Sequence, residues 1–465
     1  MGGVTRPRPF ASLLAGAFTL ALAASVLASS ASAPAQAGMR RSSSRVARGV
    51  KLVRIVRSTG PVAIYELRID PSQESTVDVA MPGHAIGGYA TVSTMAKAHN
   101  AIAAINGDYS RSGRPQHAFA QDGDIVQTGV HGAGNGFGEN ADETRAYTGH
   151  PAIRIAAHVK GSGADLEVDR WNSGDPHGGQ INAFSDYGGS AEQPPGGACS
   201  VRLLPDGPLG WGQGGKVARD YKVDKVDCGA SAMSLQSGIV LSADAGGTQA
   251  GKIRALNAGD GLRLTWTFGY PQDMDWIGGQ PDIIRNGNIV APDNCGYICG
   301  RQPRTAVGAT ANGTIIWVVV DGRRAGYSVG MTLTQLAHFM KSEGAVRAVN
   351  LDGGGSAEMW VRGNVVNRPS DGSERPVTNS LILLPHGDAS QPSMTRLAMP
   401  ASAAVPDTYV SPDDAARAWT LDAADPGSTG GLLYAMSQGA LGSSAHLSPS
   451  LRDVARGFAR SVGAP

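Results

Sequence analysis

The chain is short of the residues that most often announce a chemistry. Cysteine numbers 4 in 465 residues, aromatic residues make up 6% and charged residues 17%. No CxxC pair and no HExxH helix occurs, so a structural or catalytic zinc is not expected. There is no P-loop, and no glycine-rich stretch has the strand–GxGxxG–helix setting of a dinucleotide site. A balanced formal net charge of +1 gives no sign of the polybasic surface that nucleic acid or an anionic membrane would demand. Beyond the N-terminal stretch no apolar run is long enough to span a bilayer.

What is present is turn-forming and apolar. Glycine (64) and proline (27) argue for many turns and short strands, and 41% hydrophobic residues suffice for a core. Residues 1–37 read as a secretory signal. Arg6 and Arg8 supply the basic start, Phe10 to Leu27 the apolar run, and Ala35-Gln36-Ala37 a small-x-small cleavage site. Cutting after Ala33 instead would set Pro34 against the scissile bond. The mature chain would then carry a net charge of −1, be secreted, have no stable membrane insertion and bind no nucleic acid. In such a chain cysteines are read first as disulfides. Cys295 and Cys299 are close enough to staple a local loop, and Cys199 with Cys228 completes the most economical of three connectivities.

Residues 38–49 read as a flexible leader and 50–387 as one catalytic domain. Within it, 130–150 is a long Gly/Asn/Asp-rich loop, 151–270 a β-rich scaffold and 278–385 the motif-dense section. Residues 388–465, rich in Ala, Ser and Pro, form an appendage. Thr91 caps a short helix that precedes a strand at 101–105 and then Asn106-Gly107-Asp108. A continuous apolar run, Ile315 to Val320, predicts a fully buried strand that ends in Asp321-Gly322-Arg323. Thr332 and Gln335 form a capping box, and Leu333, Leu336, Ala337 and Met340 share one helical face. Gly344 stops that helix before a strand, 345–351, that delivers Asp352-Gly353-Gly354-Gly355-Ser356. Strand, helix and strand at this spacing predict parallel neighbours, with Asp321 and Asp352 at one sheet edge. The expected class is α+β or mixed α/β: a β-rich, disulfide-stapled single domain with a mixed sheet containing βαβ-type units.

The residues gathered at these strand ends and turns are Asn106, Asp108, Arg304, Asp321, Arg323, Ser328, Asp352, Gly353, Gly354, Gly355, Ser356, Glu358, Asn367 and Arg375. Arginine forks match phosphate oxygens, and glycine amides can supply uncharged donors to the same group. Carboxylates at strand ends suit glycosyl transfer.

Seven ordered motifs, including Asn106-Gly107-x-Tyr109, Gly278-Gly279-x-Pro281, Arg304-Thr305-Ala306-Val307-Gly308 and Leu351-Asp352-Gly353-Gly354-Gly355-Ser356, resemble the phosphodiester glycosidase family. The resemblance spans roughly 50–386 and is densest from 278 to 385. It implies hydrolysis of a sugar-1-phosphodiester or phosphoglycan at the anomeric carbon. Asp352 would be base or nucleophile, with Asp321 or Glu358 next in line. Arg304 and Arg323 would hold phosphate, Asn106 would bind a sugar hydroxyl or orient a carboxylate, and Thr305 would join the substrate-binding set. No cofactor is required, while a single Ca²⁺ or Mg²⁺ near Asp321 or Asp352 stays open. Two alternatives also stay open: a glycan-binding protein without turnover, and a phosphodiesterase that cuts P–O bonds.

Overall fold

The computed structural model describes residues 38–385, apart from 59, 74, 130–131, 141–145, 208–209, 212–216 and 271–273. The signal segment 1–37 and the appendage 388–465 lie outside the described residues. Among the described residues the fold is β-dominated, with three short α-helices: Val92–Ala98, Ala250–Arg254 and Leu333–Ser342. Both expected disulfides are formed, Cys199–Cys228 and Cys295–Cys299.

Two antiparallel sheets position the site. The larger has eight strands, in the order 39–47, 50–57, 62–69, 315–320, 304–310, 345–350, 282–285 and 288–289. The smaller has five, in the order 364–365, 359–361, 103–106, 380–385 and 75–80. Their facing side chains make one core, with Leu67, Trp317 and Val319 from the larger sheet against Ile105, Met359 and Leu381 from the smaller. Strand 315–320 is buried on both faces. Its Ile316, Val318 and Val320 point the other way, onto Leu333, Leu336, Ala337 and Met340 of helix 333–342. That helix begins as the sequence dictates, with the Thr332 side chain accepting from the Gln335 N–H and the Gln335 side chain returning to the Thr332 N–H. A separate nine-stranded sheet occupies 154–267 around its own core, which includes Leu241, Leu264 and Trp266. Among the described residues its one parallel pair joins 170–171 to 182–183.

Three expectations are corrected. Strands 315–320 and 345–350 run parallel but are not neighbours. Strand 304–310, which precedes both in the chain, lies between them and pairs antiparallel with each. The sheet is therefore not built from a βαβ unit of adjacent strands, although Val320 and Asn350 still finish at the same edge. The leader 38–49 is not free: Met39–Ala47 is an edge strand on 50–57. Its Arg41 reaches Glu343 at 2.7 Å, and its polar, exposed side chains suit an edge that must not recruit another strand. Finally, 130–150 contains strands Asn135–Asn140 and Ala146–Gly149, paired with each other and, through the first, with 274–279. Gly136 has a structural reason there, since a Cβ would lie 2.5 Å from the indole nitrogen of buried Trp276.

The helix gives a direct test of this packing. Leu336→Ala is expected to lower the unfolding free energy by about 3 kcal/mol through the cavity it leaves, and Thr332→Ala by about 1 kcal/mol through the lost cap. Urea unfolding of the full chain measures both.

Candidate active site

The site forms where the ends of the two sheets meet, and one side chain joins them. Asn106 ends strand 103–106 of the smaller sheet and is completely buried. Its Oδ1 accepts from the Thr305 hydroxyl (2.7 Å) on the larger sheet and from the Glu358 N–H (3.1 Å). Its Nδ2 donates to the Asp352 carbonyl at 2.8 Å. The next residue completes the clamp, because the Asp352 N–H donates to the Gly107 carbonyl at 3.0 Å. Asn106 thus holds the backbone that carries a candidate carboxylate, with its Oδ1 accepting twice and its Nδ2 donating once inside the protein.

The Asp352 side chain is half-buried at the start of the glycine turn. Burial raises its pKa to about 6 and the Asp108 charge adds to the rise, while the Ser356 hydroxyl, the Gly353 N–H (2.9 Å) and Arg375 oppose it. The glycines act chiefly by what they lack. Gly354 sits at φ +64°, and a Cβ there would meet the Arg323 guanidinium at 2.9 Å. A Cβ on Gly355 would collide with the Arg375–Asp371 ion pair, and one on Gly353 would lie 2.6 Å from the Pro303 carbonyl. Two guanidinium groups therefore come down onto the turn because it has no side chains. The expected open row of amides is not there. The Gly353 N–H goes to Asp352, that of Gly354 to Pro303 and that of Ser356 to the Gly353 carbonyl. The Gly355 N–H alone in the turn has no partner among the described residues.

Arg323 takes a left-handed backbone, φ +59°, uncommon for a residue with a side chain and frequent at functional sites. Its exposed guanidinium donates to Gln302 Oε1 (3.0 Å) and to the Tyr297 hydroxyl (2.6 Å). Arg304 differs. It is buried, donates Nε to the Met331 carbonyl (3.0 Å) and Nη2 to the Ile298 and Gly300 carbonyls, and burial brings its pKa down to about 10. It braces the 295–300 loop and the Met331 backbone, and spends three of its five donors doing so.

Other candidates form the frame. Asp321 is buried and accepts four bonds: from Asn367 Nδ2 (3.0 Å), twice from the Arg368 N–H (3.0 and 3.2 Å) and from the Tyr327 hydroxyl (2.8 Å). Burial raises its pKa against those donors. The Ser328 hydroxyl donates to the Asp321 carbonyl and accepts from the Ala63 N–H. Asn367 also bonds the Met359 N–H and the Ala357 carbonyl. These three residues lock the 357–368 segment against the larger sheet. Glu358 is buried against Glu374, and burial with that like-charged neighbour raises its pKa to about 9, so it carries a proton at neutral pH. Glu374 in turn accepts from the Ser93 N–H (3.3 Å) and hydroxyl (2.7 Å) at the start of helix 92–98.

Sequence reasoning passed over part of the site. His117 meets Asp108 through Nδ1–Oδ1 (2.6 Å) and through its N–H to Oδ2 (2.8 Å). Burial lowers its pKa, but the Asp108 carboxylate outweighs burial and leaves it raised. Tyr109 lies in the site as well. Its hydroxyl accepts from Asn350 Nδ2 (2.7 Å), donates to the Gln280 carbonyl (3.2 Å), and is driven well above the usual phenol range by burial and by Asp352. Asn379 positions Asp108 by accepting its N–H at 2.8 Å. The available signal was one histidine nine residues after Asp108, reached only because the chain doubles back at 110–115.

Residues 222–384 match the family model described as phosphodiester glycosidase, the family that the motifs resemble. Among individual proteins, 83 residues are 40% identical to the SPbeta prophage-derived uncharacterized protein YomE of Bacillus subtilis, covering 18% of this chain and 13% of that one. A further 103 residues are 33% identical to the N-acetylglucosamine-1-phosphodiester alpha-N-acetylglucosaminidase of Mus musculus, covering 19% of this chain and 20% of the mouse protein. The chain thus spans a fifth or less of these two relatives. The fold also resembles that of a hypothetical protein from Synechocystis, with TM-score 0.57 and 21% identity over 73% of this chain and 62% of that one.

Two outcomes are expected from these contacts. Asn106→Ala orphans three buried partners and should cost about 3 kcal/mol or more in urea unfolding. Asp352→Asn should stabilise the fold at pH 7. The folded protein holds the Asp352 proton up to about pH 6, whereas an unfolded Asp releases it near pH 4. Stability therefore falls between those values and stays low above them. Removing the charge should recover on the order of 2 kcal/mol at pH 7 and flatten the pH dependence between pH 4 and 6.

Proposed function

We propose that the chain is a secreted glycoside hydrolase that cleaves sugar-1-phosphodiesters, of the kind found in cell-envelope or extracellular glycans, at the anomeric carbon. One observation carries this reading: a half-buried carboxylate, Asp352, opens a turn whose missing Cβ atoms admit two arginines. A phosphodiester seated over Gly354 and Gly355 would meet Arg323 and Arg375, and its sugar would extend over Asp352. The bond from C1 to the phosphate oxygen breaks, and water supplies the new C1–O bond. The leaving phosphomonoester gains charge, which the arginines stabilise. Because that leaving group is already good, a strong general acid is dispensable. Asp352 takes the proton from water, or attacks C1 first; inversion or retention follows from which. The Asp108–His117 pair and Tyr109 set the field around it. The motif resemblance and the match over 222–384 support the same reaction.

Secretion rests on the signal-like 1–37 segment and on two disulfides; no helix among the described residues is long and apolar enough to cross a membrane. The reading requires no cofactor. Asp321 already accepts from three protein donors, one of them bifurcated, so of the two Asp352 is the carboxylate with room for a single Ca²⁺ or Mg²⁺. Turnover that survives EDTA is the expected result.

The test is hydrolysis of N-acetylglucosamine-1-phosphate methyl diester in ¹⁸O water. Label in the sugar is expected; label in the phosphate would mean P–O cleavage, and no product would leave a binding protein. Asp352→Asn should lower kcat about 10²–10⁴-fold. The wild-type kcat/KM should rise with pH along a limb near 6, since Asp352 must lose its proton to act.

A further inference from the structure

The Asp108–His117 pair holds more than the local fold needs. The chain doubles back at 110–115, and one Asp108 oxygen is enough to secure that return, since Oδ2 accepts the His117 N–H at 2.8 Å. The other oxygen, Oδ1, meets the imidazole Nδ1 at 2.6 Å, and both side chains are buried. Two glycines leave room for them. A Cβ on Gly278 would lie 2.5 Å from the His117 Cβ and 2.8 Å from Asp108 Oδ2, and one on Gly134 would overlap the ring itself. A buried ion pair adds little net stability in general, so its place in the molecule calls for another reason.

That reason lies one residue away. Gly107, which precedes Asp108, accepts the Asp352 N–H at 3.0 Å. The Asp108 charge therefore stands beside Asp352 and opposes its ionisation. We propose that His117 is a positioning residue for Asp352: held as an imidazolium against Asp108, it cancels a negative charge that would otherwise keep the catalytic carboxylate protonated. The inference rests on the phosphodiester reading above, in which Asp352 must give up its proton to act. The groups around the ring favour the cation. Asp108 faces Nδ1, the Gln280 side chain supplies a hydrogen bond that also stabilises the charged form, and Tyr109 meets the ring edge-on as an uncharged phenol. Gly134 and Gly278, on the other two segments packed against it, bring no charge. At Asp352 the favourable cation is Arg375, which is already paired with Asp371. His117 thus acts on the reaction through Asp108, without touching substrate.

Two measurements on the full chain test this. Carbon-13 NMR of labelled Asp carboxyl groups, with Asp352 assigned by its loss in Asp352→Asn, follows the titration directly. The pH dependence of kcat/KM for N-acetylglucosamine-1-phosphate methyl diester follows it through the reaction. His117→Asn offers Asp108 a neutral donor in place of a charged one, and should move the Asp352 midpoint up by about one pH unit in both. Adding Asp108→Asn to the same chain removes the second charge and should return the midpoint to the wild-type value or below it. In wild type the His117 ring resonances should be those of imidazolium throughout the range in which Asp352 titrates. A ring that is neutral there, which wild type alone reveals, would overturn the proposal. So would an unmoved midpoint in His117→Asn, or a raised one that the second substitution fails to restore. If the NMR midpoints move as stated while the wild type hydrolyses no diester, the activity falls and the pairing stands.

Discussion

The structure depends on a buried amide. Asn106 is the point at which strand 103–106, strand 304–310 and the turn after strand 345–350 are tied together, through Thr305, Glu358 and the Asp352 backbone. Without it, nothing in apolar packing would fix the end of one sheet against the end of the other to the precision a reaction needs. Apolar contact is non-directional, whereas a completely buried amide must find partners in fixed geometry or pay for their absence. The clamp converts a contact between two sheets into a defined position for one carboxylate.

From that constraint the electrostatics follow. Holding Asp352 half-buried raises its pKa, and bringing Arg323 and Arg375 onto bare glycines sets positive charge beside it. Each guanidinium is kept in place by a neutral or paired neighbour, Gln302 and Tyr297 for the first and Asp371 for the second. The carboxylates nearby are divided by environment. Asp321 is saturated with donors and serves as a strut. Glu358 is pressed against Glu374 and keeps its proton. Asp108 is engaged by His117, and Asp352 retains access to solvent. Four acids in one region therefore have four different tasks, and burial and partners decide which.

Much of this was legible in the residues where the signal is local. The capping box at Thr332, the apolar face of its helix and the fully buried strand 315–320 follow from patterns a few residues long. That Asp321 and Asp352 share an edge also followed, because both lie at the ends of strands running the same way. Strand order did not, since nothing local says that 304–310 inserts between them. Strand 135–140 reads as a loop because its Gly136 serves contact with Trp276 rather than a turn. Residues with similar letters took opposite parts, Arg323 exposed over the turn and Arg304 buried under a loop, and only three-dimensional surroundings separate them. His117 stayed hidden for the same reason: its partnership with Asp108 exists only once the chain has folded back.

The central claim is that the glycine turn, held by Asn106, is the floor of a pocket for phosphate and sugar. It is tested most directly by a crystal structure of the full chain with N-acetylglucosamine 1-phosphate bound. The account predicts phosphate oxygens within hydrogen-bonding distance of Arg323 and Arg375, with the anomeric carbon facing the Asp352 carboxylate. A phosphate bound away from the turn, or a sugar turned from Asp352 with the arginines unengaged, would contradict it.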